Sequence, residues 1–148
     1  VQPGKGNVAF VSQSGAIVTA VLDWATSRGI GFSHVASLGG MSDVDFGDML
    51  DYLAADPQTK SILLYIESIT DARKFMSAGR QAARPKPVIV IKSGRHEAGA
   101  NAAASHTAAL AGSAAVSQAA FLRRGMPRDL GLHEPLHAAE TLSASSER

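Results

Sequence analysis

The chain has no cysteine. No disulfide can staple it and no thiolate can ligate a metal, so its stability must come from a packed core. That composition suits a reducing compartment and sets the expectation at the cytoplasm. Charge of one sign is also missing: 14 Lys and Arg face 13 Asp and Glu, for a formal charge of +1. Basic residues do not cluster beyond Arg123-Arg124, so neither nucleic acid nor a membrane surface is indicated as a partner. No apolar run approaches the roughly 20 residues that span a bilayer. The chain lacks the phosphate loop GxxxxGK[ST], the dinucleotide fingerprint GxGxxG, the nucleophile elbow GxSxG and the zinc pattern HExxH. It also lacks an initiator Met and a signal-peptide pattern. The opening "VQPGKGNVAF" and the closing "SASSER" read as cut points, so residues 1–148 are expected to be a single domain excised from a longer multidomain chain.

What is present is ordinary for a globular domain: 148 residues, 45% hydrophobic and 18% charged. A chain of this size buries roughly 70% of the surface exposed when it is unfolded. The apolar patterning alternates short β-rich runs with helical periods. "VAFVS" (8–12) reads as a buried strand, and "AIVTAVLDWATSRG" as a helix stopped at Gly29. "HVASLGG" (34–40) reads as a second strand entering a glycine turn. "DVDFGDMLDYLAA" (43–55) reads as a helix ended by Asp56-Pro57. "SILLYIES" (61–68) is the third strand, "DARKFMSAGRQAAR" (71–84) a helix with Asp71 near its N-cap, and "PVIVIKSG" (87–94) the fourth strand. A small-residue loop follows, then a helix ending at Gly125, a weak strand near 126–130 and a helix from about Glu134 to Leu142. "ILLYI" and "VIVI" are apolar on both faces, as parallel strands covered by helices must be. The order predicts an α/β fold: a doubly wound parallel sheet of about five strands, a three-layer αβα sandwich of the flavodoxin-like type with strand order 2-1-3-4-5. Ligands of such sheets meet the strands' carboxyl ends, here Ser12–Gly15, Leu38–Ser42, Glu67–Thr70 and Ser93 onward.

Three features at those ends carry candidate chemistry. In "SQSG" (12–15) a strand turns tightly into a helix, whose first N–H groups are unpaired and carry the positive end of the dipole. Ser14 and Gly15 can approach a phosphoryl oxygen there. Taken alone, the feature reads first as a Ser N-cap. Glu67 ends the third strand, where its carboxylate can fix an imidazole tautomer or be solvated on a turn. His106 sits in "SGRHEAGANAAASHTAALAGS" (93–113), where almost every neighbour is Gly, Ala, Ser or Thr. Loops of about fifteen residues are uncommon inside a compact α/β domain. With no serine elbow and no metal-ligand spacing, a nucleophilic histidine facing an anion-binding helix start is the coherent combination. His34, His96, His133 and His137 read as surface loop histidines. Asp43 and Asp45 read as helix N-terminal acids rather than metal ligands. Lys92 and Arg95 flank the loop and read as solvated charges, with phosphate steering as the alternative. No metal site is expected.

Together "VAFVSQSGA", "SLGG", "DYLAADPQTKSILLYIESI", "ARPKPVIVIKSGR" and "ASHTAALAGS" resemble the phosphohistidine-bearing domain of NDP-forming acyl-CoA synthetases. This is the ADP-forming acetyl-CoA synthetase branch of the succinyl-CoA synthetase superfamily. The resemblance runs from Gly6 to about Leu142. It implies that acyl-CoA and phosphate yield CoA and an acyl phosphate, that His106 takes the phosphoryl group, and that NDP receives it. Glu67 matches the glutamate bonded to the imidazole. Ser14 and Gly15 match the helix start that holds the phosphoryl group. CoA and a nucleotide, ADP or ATP with Mg, are implied as cofactors bound mainly by a CoA-binding domain and an ATP-grasp domain, on the same chain or a partner subunit. A homo-oligomer is compatible with the resemblance. Ala108 stands where the family commonly has Gly, and Gly40 where it often has Asn. Two other readings compete: a metabolite-sensing region of a fused GNAT-type acetyltransferase, and, more weakly, a flavin-binding flavodoxin. Retention of His106 beside Glu67 favours catalysis over sensing.

Overall fold

The computed structural model describes residue 2, residues 4–93 and residues 137, 138 and 141. Strands β1 (Gly4–Ser12), β2 (Gly31–Ser37), β3 (Ser61–Ile66) and β4 (Val88–Lys92) alternate with helices α1 (Gly15–Ser27), α2 (Phe46–Ala55) and α3 (Ala72–Ala82). All strand pairs are parallel, and the sheet order is β2-β1-β3-β4. The expected doubly wound, flavodoxin-like arrangement is therefore what the chain adopts, with four strands among the described residues. The weak strand near 126–130 lies outside them.

β3, β4 and residues 8–12 of β1 have two largely buried faces, because successive side chains point to opposite sides. Ala9, Val11, Ile62, Leu64, Ile66, Val88 and Val90 meet Phe46, Leu50 and Leu53 of α2 and Phe75, Ala78 and Ala82 of α3. Val8, Phe10, Leu63, Ile89 and Ile91 meet Val21 and Ala25 of α1, with Ala138 packed alongside. The sheet is thus the middle of three layers.

Local chemistry sets the helix limits. α1 ends in a Schellman arrangement: the Gly29 N–H donates to Thr26 O at 3.3 Å and the Ile30 N–H to Ala25 O at 3.0 Å. That turn needs the left-handed backbone that Gly29 supplies, with φ of 69°. α2 begins at Phe46, three residues later than the acidic run suggests, because Asp45 serves as its cap. The Asp45 carboxylate accepts from the Asp48 N–H at 2.9 Å, and Asp48 accepts in return from the Asp45 N–H at 3.1 Å. Lys74 of α3 reaches both acids, at 3.1 Å and 2.8 Å, and so joins the two helices. The Lys74 hydrogen bond holds the Asp48 carboxyl below its ordinary value, and Asp48 in turn raises Lys74. Asp45 is a helix-capping group, as the sequence suggested.

The limits of β1 and β2 also differ from expectation. β1 starts four residues early, at Gly4, and carries an irregularity between Lys5 and Val8. β2 spans Gly31–Ser37 rather than 34–40. The cause is a close backbone approach: a Cβ on Gly31 would lie 2.1 Å from Lys5 O. Leu38–Met41 is a turn, closed by the Met41 N–H donating to Leu38 O at 3.0 Å, so the strand stops before it.

His34 is also not a loop histidine. It lies in edge strand β2, half-buried, with Nε2 2.8 Å from Asp56 Oδ2. Thr59 Oγ1 donates to the same carboxylate at 2.7 Å and lies 2.8 Å from Ser33 Oγ. This network ties β2 to the turn between α2 and β3. The Thr59 hydrogen bond is the main reason the Asp56 carboxyl sits below its ordinary value of 3.8. A depressed carboxyl stabilises the fold above its unfolded-state pKa and loses that contribution as pH falls through the folded value. Asp56→Asn is therefore expected to lower Tm at neutral pH, with the gap to wild type narrowing below about pH 3.8; thermal melts across pH check this. Gly31→Ala is expected to cost about 2–3 kcal/mol, because rigid backbone rather than a side chain must move; a urea midpoint equal to wild type would contradict it.

Candidate functional site

The sheet order places the topological switch between β1 and β3: the chain leaves β1 toward one side, to β2, and returns on the other, to β3. Connections leaving such a pair diverge and open a crevice at their carboxyl ends. The strand ends there are locked to one another by the backbone. Leu38 N–H donates to Ser12 O at 2.8 Å, Gln13 N–H to Tyr65 O at 3.1 Å and Ser93 N–H to Ile66 O at 2.8 Å.

The turn from β1 into α1 is built by serine. Ser12 is fully buried. Its Oγ accepts from the Ser14 N–H at 3.0 Å and donates to Ser14 O at 2.9 Å, which reverses the chain within one residue. Ser14 is the N-cap, with extended backbone, and its Oγ accepts from the Ile17 N–H at a long 3.4 Å. Helix geometry leaves the Gly15 and Ala16 N–H groups without intrahelical acceptors. Among the described residues, a Cβ on Gly15 would meet nothing within 4 Å. The N-cap reading of Ser14 is correct, and it leaves the anion-binding character of the helix start in place.

Glu67 follows directly on β3 and is half-buried. Its backbone is gripped from two sides. Gln13 Oε1 accepts from the Glu67 N–H at 2.7 Å and from the Ser68 N–H at 2.8 Å, while Gln13 Nε2 donates to Ser68 Oγ at 3.1 Å. Lys92, the last residue of β4, donates from Nζ to Glu67 O. The Glu67 carboxylate itself makes no hydrogen bond or ion pair among the described residues, so it is available to a further group. Ser14 and Gly15, just after β1, and Glu67, just after β3, therefore lie at the same carboxyl edge of the sheet.

His106, with Arg95, His96, Ala108 and His133, lies outside the described residues. Lys92 departs from expectation: it is only 8% exposed and serves the Glu67 backbone, so it is not a solvated charge. His137 is helical rather than in a loop, with its ring edge-on to Trp24 at 6.2 Å. Among the described residues no three His, Asp or Glu side chains gather to hold a metal, and no helix is long and apolar enough to cross a membrane.

Gln13 is the residue that sequence reasoning passed over. It is 8% exposed, and the three hydrogen bonds that its side chain makes among the described residues all go to the 67–68 segment. The available signal was positional: continuing the alternation of β1, residue 13 falls on the buried face of Val11. A long amide placed there, just past a parallel strand, needs partners for both its oxygen and its nitrogen.

Known proteins share this architecture. The chain is 50% identical over 126 residues to the acetate–CoA ligase [ADP-forming] I of Archaeoglobus fulgidus, covering 85% of this chain and 18% of that protein. It is 44% identical over 138 residues to the alpha subunit of acetate–CoA ligase [ADP-forming] I of Pyrococcus furiosus, covering 93% and 30%. Among solved structures, it is similar to the Ca. Korarchaeum cryptofilum dinucleotide forming acetyl-coenzyme A synthetase 1 in complex with phosphate and ADP. The TM-score is 0.90 at 39% identity, over 96% of this chain and 31% of that one. The chain thus spans less than a third of the length of each. The model of the succinyl-CoA ligase like flavodoxin domain matches residues 5–142, and the chain belongs to that family.

Proposed function

We propose that this chain is the phosphoryl-carrying domain of an NDP-forming acyl-CoA synthetase, which interconverts acyl-CoA, NDP and phosphate with the acid, CoA and NTP. The observation that carries this reading is the shared edge: the start of α1 at Ser14–Gly15 and the carboxylate of Glu67, which makes no bond among the described residues, stand at the β1/β3 switch point. β4 delivers the chain to the same edge at Ser93, from which it continues toward His106. The names of the ADP-forming ligase relatives support it, as do the phosphate and ADP with which the Korarchaeum synthetase is in complex.

In this reading phosphate displaces CoA from acyl-CoA to give an acyl phosphate. One imidazole nitrogen of His106 attacks phosphorus. The bond from phosphorus to the acyl oxygen breaks, and the carboxylate leaves with that electron pair. Glu67 accepts a hydrogen bond from the other ring N–H, which fixes the tautomer and favours the charge that develops on the ring. The Gly15 and Ala16 N–H groups and the α1 dipole receive the phosphoryl oxygens, beside the Ser14 cap. NDP then takes the phosphoryl group from the histidine. CoA and the nucleotide, with Mg, bind mainly to a CoA-binding domain and an ATP-grasp domain of the same chain or a partner subunit, so this chain alone does not complete the cycle. The acetyltransferase-sensor reading gains no support from the relatives described above, all of which carry ligase or synthetase names.

The test is the intact mass, at alkaline pH, of the full-length protein incubated with Mg-ATP, beside its His106→Asn form. The expected result is a single phosphate that is lost in acid, survives base and is missing from His106→Asn, with thermal unfolding of the variant near wild type. A folded, nucleotide-binding protein that takes up no phosphate would overturn the reading. Glu67→Gln is expected to slow phosphorylation at least about tenfold. An unchanged rate removes Glu67 from the site.

A further inference from the structure

We infer that Gln13 is the positioning residue for Glu67, and that its amide couples the segment bearing that carboxylate to the start of α1. The inference rests on the role proposed for Glu67 and adds a residue that role does not require by itself.

The geometry is specific. A carboxylate that must meet one ring nitrogen has to be aimed from a fixed backbone, and Glu67 lies just beyond the end of β3, where ladder hydrogen bonds no longer hold the chain. Two consecutive peptide N–H groups there, Glu67 and Ser68, converge on one oxygen, Gln13 Oε1, at 2.7 Å and 2.8 Å. The second polar atom of the same amide donates to Ser68 Oγ at 3.1 Å, which fixes the amide's orientation and prevents it from flipping. On the other side of the peptide chain, the Lys92 ammonium takes the Glu67 carbonyl. The backbone N–H and C=O of Glu67 are therefore both bound by side chains from neighbouring strand ends, while its own side chain makes no bond among the described residues. Gln13 is buried, so water does not replace these contacts when they are lost.

Gln13 also lies between Ser12, which shapes the turn, and Ser14, which caps α1. A three-residue segment thus carries the anion-binding helix start on one side and the grip on Glu67 on the other. Displacing one displaces the other. Gln13 touches no reacting atom in this arrangement and acts through Glu67.

The test is a double-mutant cycle in the full-length protein, read as the initial rate of formation of the acid-labile, base-stable phosphate. Gln13→Met keeps length and apolar bulk and removes all three hydrogen bonds. It is expected to slow the rate about 10–100-fold. A residue that acts by aiming Glu67 has nothing left to aim once that carboxylate is gone. The Gln13→Met/Glu67→Gln protein is therefore expected to match Glu67→Gln alone within about twofold. A merely structural role predicts the opposite, with the two effects multiplying, and that outcome overturns the inference. So does a wild-type rate for Gln13→Met beside a slowed Glu67→Gln, which leaves the proposed role of Glu67 standing. An unchanged Glu67→Gln removes both. Should Gln13→Met fail to fold, Ser68→Ala takes its place in the same cycle. It strands only the Gln13 Nε2–H and is expected to slow the rate about fivefold, again without adding to Glu67→Gln. No effect, or a multiplying one, overturns the inference.

Discussion

The peptide N–H groups of Glu67 and Ser68 point at a single oxygen, Oε1 of Gln13, and the carboxyl edge of the sheet is organised around that contact. A parallel sheet leaves its strand ends with unpaired backbone groups where the chain turns away. At an edge meant to meet a ligand those groups cannot all be covered by further strands. Here they are satisfied by side chains from adjacent strand ends: Gln13 after β1, Ser12 at its end, and Lys92 at the end of β4. Each is buried, so each bond forms where competition from water is weak. The edge is consequently fixed in its backbone, and the Glu67 carboxylate and the first N–H groups of α1 are what it presents.

The apolar layers make that edge possible. β1 and β3 are covered on both faces, by α1 on one side and by α2 and α3 on the other. With no lateral freedom, the two central strands end at defined places, and the residues just after them are carried to defined places as well. At the margin of the sheet, β2 is held differently. Its polar residues Ser33 and His34 join Thr59 and Asp56 rather than an apolar layer. The division follows burial: dry packing in the centre, hydrogen bonds at the rim.

Much of this was legible in the residues, and the remainder has physical reasons for being hidden. Apolar alternation located all four described strands, because two-sided burial leaves few polar residues in "ILLYI" or "VIVI". Capping chemistry located the helix ends, since Gly29 and Asp71 have single dominant uses there. The start of β2 was misplaced because the close approach of Gly31 to Lys5 is a tertiary contact between residues far apart in the chain. Lys92 and His34 were misread for the same reason. A lysine or histidine gives no local sign of whether its partner is water or a buried carbonyl or carboxylate 20 or more residues away, as the Lys92–Glu67 and His34–Asp56 separations of 25 and 22 show. Gln13 was hidden most thoroughly. Its partners lie 54 and 55 residues along the chain, and glutamine has no motif that announces a backbone acceptor.

A domain that carries a phosphoryl group must bind it and also give it back, which limits how strongly the receiving site can hold it. A helix N-terminus contributes about half a positive charge together with directional N–H donors. A guanidinium fork would add a full charge and two charge-assisted bonds, and would hold the group more tightly. The first turn of α1, Gly15 to Val18, carries no charged side chain. Lys92, a cation at this edge among the described residues, has its ammonium on the Glu67 carbonyl and is buried there. A neutral amide in the grip on Glu67 fits the same requirement. A lysine or arginine side chain at position 13 has no acceptor for the Glu67 and Ser68 N–H groups and would add a buried charge to this edge. Glutamine instead satisfies the backbone of the 67–68 segment without adding charge to this edge, which suits the proposed role, in which the hold on the phosphoryl group has to be one that a nucleotide can reverse.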